Sequence, residues 1–205
     1  MKPLLALAAV LTLAGGCASF KPRPASASTT VWRSVASLSD VRRLHRWRDA
    51  FMAGLTAAQS GGAAAQIAAE GALLQPDAQL EPPLPPPGEY RCRIIKLGSP
   101  GGGPPSYVPY PAFRCRVAQA GGRLSFTKIT GSQRQVGFIY PDTMRRGVFL
   151  GTMLLADEAR PLPYGRDEQR DLVASVERVG PQRWRLVFPY PRFESLVDVM
   201  ELVPA

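Results

Sequence analysis

The 205-residue chain has one histidine and three cysteines, which argues against a His-rich or Cys-rich metal site. It contains no G-x-S-x-G elbow, no H-E-x-x-H, no C-x-x-C, no P-loop and no G-x-G-x-x-G ahead of a helix. Those absences remove the common signatures of serine hydrolases, zinc proteases, thiol redox proteins and nucleotide binders. A Ser–His triad would have to recruit His45, which reads as structural, and no cofactor is implied. Lysine is scarce too: arginine supplies 21 of the 25 basic residues. The formal charge of +9 accompanies abundant Ala, Gly and Pro, a composition that GC-rich coding produces without a polyanionic partner. No basic run is interleaved with aromatics on one element, so nucleic acid is not an expected partner.

Gly and Pro together make up 40 of the 205 residues, about a fifth against roughly an eighth in average proteins. That argues against a helical bundle and for short strands divided by turns. Apolar residues at 45% and charged residues at 20% are enough for a packed core. The size fits one domain with additional segments.

Met1-Lys2 and the apolar run Leu4 to Leu13 form a signal-peptide pattern over residues 1–16. About ten residues at roughly 1.5 Å each cannot cross a ~30 Å hydrocarbon core. Leu13-Ala14-Gly15-Gly16-Cys17 resembles the lipobox of bacterial lipoproteins. That resemblance implies cleavage before Cys17 and acylation of that residue, palmitate among the chains. Ala18, where an Asp is absent, points to the outer membrane facing the periplasm. Several acyl chains anchor stably where one does not, and residues 17–30 read as a lipid-anchored tether.

Residues 31–75 read as a helical arm. Ser37-Leu38-Ser39-Asp40 has the spacing of a capping box. Val41, Leu44, Phe51, Leu55 and Ala58 then recur at helical spacing. Gly61-Gly62 interrupts the helix, and Ala63 to Leu74 continues it until Pro76. This predicts an αα-hairpin or an elbowed helix, with Arg42, Arg43, Arg46 and Arg48 on a solvated face. Residues 76–88 are Pro-rich and read as a stiff linker.

Residues 89–205 read as an antiparallel β domain. Strands are expected over about 89–97, 112–118, 122–130, 134–140, 146–154, 171–179, 183–189 and 194–203, with turn chemistry between them. The fold class is therefore α+β, a helical arm followed by an eight-stranded, calycin-like barrel, with a closed barrel and a sandwich both open. Tyr90, Cys92 and Ile94 alternate with period two, as do Phe113, Cys115 and Val117. Antiparallel pairing with Cys92 opposite Cys115 places all six on one face and allows a disulfide in an oxidising compartment. The same register sets Arg91 against Arg116 and Arg93 against Arg114, which is unfavourable across neighbouring strands. Either the strands are not immediate neighbours, or that face carries arginines for an anion to neutralise.

In an up-and-down barrel the long connections gather at one end. They carry Tyr107, Tyr110, Ser132, Arg134, Tyr164, Arg166, Tyr190 and Arg192, the expected residues of a ligand-binding mouth. A carboxylate pair, Glu194 and Asp198, is the best candidate for hydrolysis, although their spacing on a strand is long for it.

Trp47-Arg-Asp49, Ala69 to Leu74, Pro87 to Arg93, Gly131-Ser-Gln-Arg134, Pro163 to Asp167 and Pro189 to Glu201 together resemble domain-of-unknown-function family 4893. The likeness covers about residues 31–204. It implies an exported domain and assigns no activity or catalytic residue. The expected function is a cell-envelope lipoprotein, membrane-bound through acylated Cys17, binding a small ligand or an envelope protein without catalysis. The alternatives are a hydrolase of an envelope polymer using Glu194 and Asp198, and a structural envelope component.

Overall fold

The computed structural model describes residues 31–192 and 194–205. The signal pattern, Cys17 and the tether lie outside the described residues.

The arm begins with α1 (Val31–Val35), which buries Trp32. The Trp32 indole donates to Asp142 Oδ1 at 2.8 Å. Ser37 caps α2 (Leu38–His45) by accepting from the Asp40 amide, as the capping-box spacing predicts. The chain turns at Arg46 into α3 (Trp47–Ala58). A π turn over Gln59–Ala63, with Gly62 at φ +89°, leads to α4 (Ala64–Ala69) and a 3₁₀ turn, Gly71–Leu74. The arm is the elbowed helix of the two expected forms.

The strands are β1 (Gly88–Leu97), β2 (Tyr107–Pro109), β3 (Phe113–Ala120), β4 (Arg123–Lys128) and β5 (Gln133–Pro141). They continue with β6 (Gly147–Leu155), β7 (Asp171–Gly180), β8 (Arg183–Pro189) and β9 (Val197–Pro204). Strands β1, β3, β4, β5, β6, β7, β8 and β9 follow one another antiparallel, and β9 returns to pair with β1. The result is a closed eight-stranded barrel. The ninth strand, β2, is an addition that pairs with the upper half of β1, Ile95 opposite Pro109 and Leu97 opposite Tyr107.

Alternation fills the interior. Tyr90, Cys92 and Ile94 from β1 meet Phe126, Ile139, Phe149, Leu186, Phe188 and Met200 in one core. Phe149 packs edge-on against Phe126 and Phe188, with centroids 5.7 and 5.9 Å apart, a geometry favoured by the ring quadrupoles. Gly137 and Gly151 stand opposite each other. A Cβ on either would overlap the facing strand's backbone, so two glycines let the wall bend there. The Pro-rich segment is not a bare spacer. Leu80 bridges to Arg178, and Leu84 packs on the barrel core.

Two outer faces are also apolar because the arm covers them. Ala50, Phe51, Leu55 and Ala58 of α3 lie on Ile95, Leu97, Val187, Val197 and Val199. Trp32 and Leu44 lie on Val148, Leu150 and Val173. Strands covered on both sides lose the simple alternation, and β7 and β8 are buried along nearly their whole length.

The Cys92–Cys115 disulfide is present, with a Cα separation of 5.9 Å, but the strand register differs from that expected. Tyr90 pairs with Cys115 and Cys92 with Phe113, so the bridge runs diagonally. A shift of two residues keeps every side chain on its face while changing its partner. Arg116 now faces Glu89, and Arg93 faces Glu201 on β9. Two facing arginine pairs are thereby reduced to one, Arg91 opposite Arg114.

Candidate functional site

One end of the barrel is closed by short turns and the Pro-rich segment. The connections after β1, β4, β6 and β8 emerge at the other end. Inside that open end the wall changes character within one layer of side chains. Lys96 succeeds Ile94 on β1, Lys128 succeeds Phe126 on β4, and Asp198 precedes Met200 on β9, all on the inward register. Gln133 and Gln135 occupy the matching inward positions of β5. Lys96, Gln133 and Asp198 line a cavity of about 510 Å³ that includes Met153, Leu172, Arg170 and Arg192 in its wall. A neighbouring recess of about 280 Å³ reaches Ile94, Tyr110, Phe113, Lys128 and Ser132. The two spaces share Lys96, Gln133 and Glu194.

Lys96 joins the two carboxylates. Its ammonium is ion-paired with Glu194 and stands opposite Asp198 on the paired strand. Burial by itself lowers the Lys96 pKa, but Asp198 and Glu194 outweigh it and leave it raised. Asp198 is pushed up to about 6 by burial, against the pull of Lys96 and of the Ser195 hydroxyl, which donates to it at 2.5 Å.

Lys128 is the unusual cation. It is 2% exposed, and among the described residues it has no carboxylate partner. Its Nζ donates to the Gln133 carbonyl at 2.7 Å and lies 3.6 Å from the centre of the Phe113 ring. Burial, and then the charge of Arg134, bring its pKa down to about 8. Nearby, Gln135 is buried with no donor for its Oε1.

Of the sequence-predicted mouth residues, Tyr110, Ser132 and Arg192 line these spaces. Arg192 also reaches the Glu168 carbonyl and Ser39 Oγ. The other five sit around the rim or on the outer wall. Arg134 holds the β6–β7 loop through the carbonyls of Ala156 and Glu158. Tyr164 donates to Asp40 Oδ2 at 2.5 Å and accepts from the Ser37 amide. Burial and the Asp40 contact raise its pKa. Tyr190 lies under Arg46, and Tyr107 bonds Glu70. Arg166 is exposed on the β6–β7 loop. Lys96, Lys128, Gln133 and Gln135 were not among the sequence candidates.

A second hollow, also about 510 Å³, lies outside the barrel between the π turn and the β1–β2 loop. Its lining of Gly, Ser, Pro, Ala, Gln and Tyr carries no charge, so the barrel mouth has the richer chemistry.

The sequence profile of the family described as Domain of unknown function (DUF4893) matches residues 32–202. The chain belongs to this family. The match spans both the arm and the barrel, so the DUF4893 domain includes the helices that seat the mouth loops. Comparison with curated proteins and with solved structures gives no match.

The Asp198 environment sets a pH dependence for this DUF4893 domain. An unfolded aspartate titrates near 3.9, below the folded value of about 6. As pH rises, the unfolded state therefore loses this proton first. The group's stabilising contribution is complete below about pH 4 and falls by ~1–3 kcal/mol on passing through pH 6. Asp198→Asn should match the wild type in urea unfolding at pH 4 and exceed it at pH 8. The same stability difference at both pH values would show that the carboxyl is not its source.

Proposed function

We propose that this protein is an exported, lipid-anchored envelope protein whose barrel mouth binds a small amphiphile carrying an acidic group. The lipobox-like segment ending at Cys17 supports the anchor, and a disulfide fits an oxidising compartment. The observation that carries the binding reading is Lys128, a buried ammonium without a counter-ion at the wall of a cavity. Burying an unpaired charge is costly, and an incoming carboxylate or phosphate supplies the missing partner. Ile94, Phe113, Met153 and Leu172 provide apolar surface for the remainder of such a ligand.

Octanoate and octanol test the reading on a soluble Cys17→Ser form by calorimetry. Octanoate should bind more tightly than octanol, and Lys128→Met should weaken octanoate by about tenfold or more, near 1.4 kcal/mol. Octanol affinity should be unchanged in the variant. Equal losses for both, or no octanoate binding to the wild type, would refute the acidic-group assignment.

One observation favours a hydrolase instead. Asp198, raised to about 6, and Glu194 line the same cavity, and a carboxyl in that range can donate or accept a proton near neutrality. Lys96 ties up Glu194, however, leaving among the described lining residues no free second carboxylate to attack or to activate water. Turnover of an envelope polysaccharide that is abolished by Asp198→Asn would favour this alternative.

A further inference from the structure

Lys128 has a second chemical capacity. Among the described residues only one of its three N–H bonds has a partner, the Gln133 carbonyl, and no acid holds the amine in its charged form. Its neighbour Gly131, at φ +91°, has no side chain; a Cβ there would come within 2.8 Å of Nζ and 2.9 Å of the Phe113 ring. A glycine therefore keeps the space over the amine clear, beside a recess of about 280 Å³ that includes Ile94, Tyr110 and Glu194. The other lysine of the described residues, Lys96, lines the same recess but is ion-paired.

We infer that Lys128 is a carbonyl-capturing site, forming a reversible imine with an aldehyde or ketone whose apolar body lies along Ile94 and Phe113. This deepens the binding reading by adding a ligand class and rests on the same cavity. The neutral amine adds its lone pair to the carbonyl carbon, and the C=O π pair moves to oxygen, which takes up a proton. The nitrogen gives up two protons in all, which balance the two that the oxygen carries away as the C–O bond breaks and the C=N bond forms. One water leaves, and nothing is oxidised or reduced. Burial in apolar surroundings favours the neutral amine that this addition requires, consistent with the lowered pKa of Lys128.

The test uses octanal with cyanoborohydride on the full-length Cys17→Ser form, which fixes any imine as a stable octyl amine. Peptide mapping then locates the label. One octyl group on Lys128 is expected, formed at least tenfold faster than on Lys96, Lys21 or the chain's α-amine. Lys128→Arg, which keeps the charge, should lose that label while remaining folded by circular dichroism. Octanoate should protect Lys128 by occupying the cavity. Labelling spread evenly over all amines, or absent from Lys128, overturns the imine inference. If octanoate binds while Lys128 stays unlabelled, the acidic-ligand reading survives and the imine inference fails. If Lys128 is labelled selectively without protection by octanoate, the imine stands and the acidic-ligand reading fails.

Discussion

Replacing Arg185 by Met is expected to destabilise the fold by about 3–5 kcal/mol, because it strands a buried acid. Arg185 and Glu177 are both fully buried on the outer barrel wall beneath the arm, 2.7 Å apart. The guanidinium also donates to the carbonyls of Ala72, Leu73, Gln75 and Pro76. Those groups belong to the segment where the 3₁₀ turn ends and the chain turns toward the barrel. One side chain thus neutralises Glu177 and satisfies the carbonyls at the end of the 3₁₀ turn. Its plane also faces Phe51 on α3 at 5.0 Å. In urea unfolding, Arg185→Met should show the large loss, whereas Arg145→Met, at an exposed ion pair, should change stability by less than about 1 kcal/mol. Adding Glu177→Gln should recover part of the loss by removing the orphaned charge, but not all, because the carbonyls remain unpaired. Equal effects at Arg185 and Arg145 would refute this account of the clamp.

Loss of the disulfide should cost about 3.5 kcal/mol on the loop-entropy model, for a sequence separation of 23 residues. Its position adds a local effect. Strand β1 pairs with β3 only up to Cys92; above that point its partner on the same side is β2. The bridge therefore fastens β1 to β3 where their ladder ends, just below Ile94 and Phe113 of the mouth recess. A Cys92→Ala/Cys115→Ala form should unfold at lower urea, and its β3 amides should exchange faster than those of β7. Unchanged stability, or exchange that rises uniformly over the barrel, would contradict this placement.

Most of the barrel is readable in the sequence because each strand is framed by turn residues and carries an inward apolar period. Strand β2 is not, since three residues including Pro109 give no period. The two-residue register error arose from assuming that bonded cysteines must stand opposite each other. Cys92 and Cys115 bridge diagonally, and the Arg116–Glu89 ion pair fits that arrangement. At the mouth, residue type alone misdirects. Tyr164, Tyr190 and Arg134 have the chemistry of binding groups but fasten loops to the arm and to one another. The polar layer inside had a signal that could have been followed. Continuing Tyr90, Cys92, Ile94 by one more step of two reaches Lys96, and Phe126 leads in the same way to Lys128. A polar residue at the inward end of several strands marks a mouth. What the strands could not reveal is that Lys128 lacks a carboxylate, because that depends on contacts between residues far apart in the chain.

The arm also sets an order of assembly. α3 rests on a surface made by β1, β8 and β9, and the last of these ends at Pro204. The helices are synthesised early, yet the floor they rest on is complete only when the final strand has paired with β1. Until then Phe51 and Leu55 have no native surface to cover, and short helices of this length are marginal in water by themselves. Closure by contacts so distant in the chain is slow. The arm and the β1–β9 seam therefore depend on the same strand, so loosening β9 should release α3 together with the barrel closure.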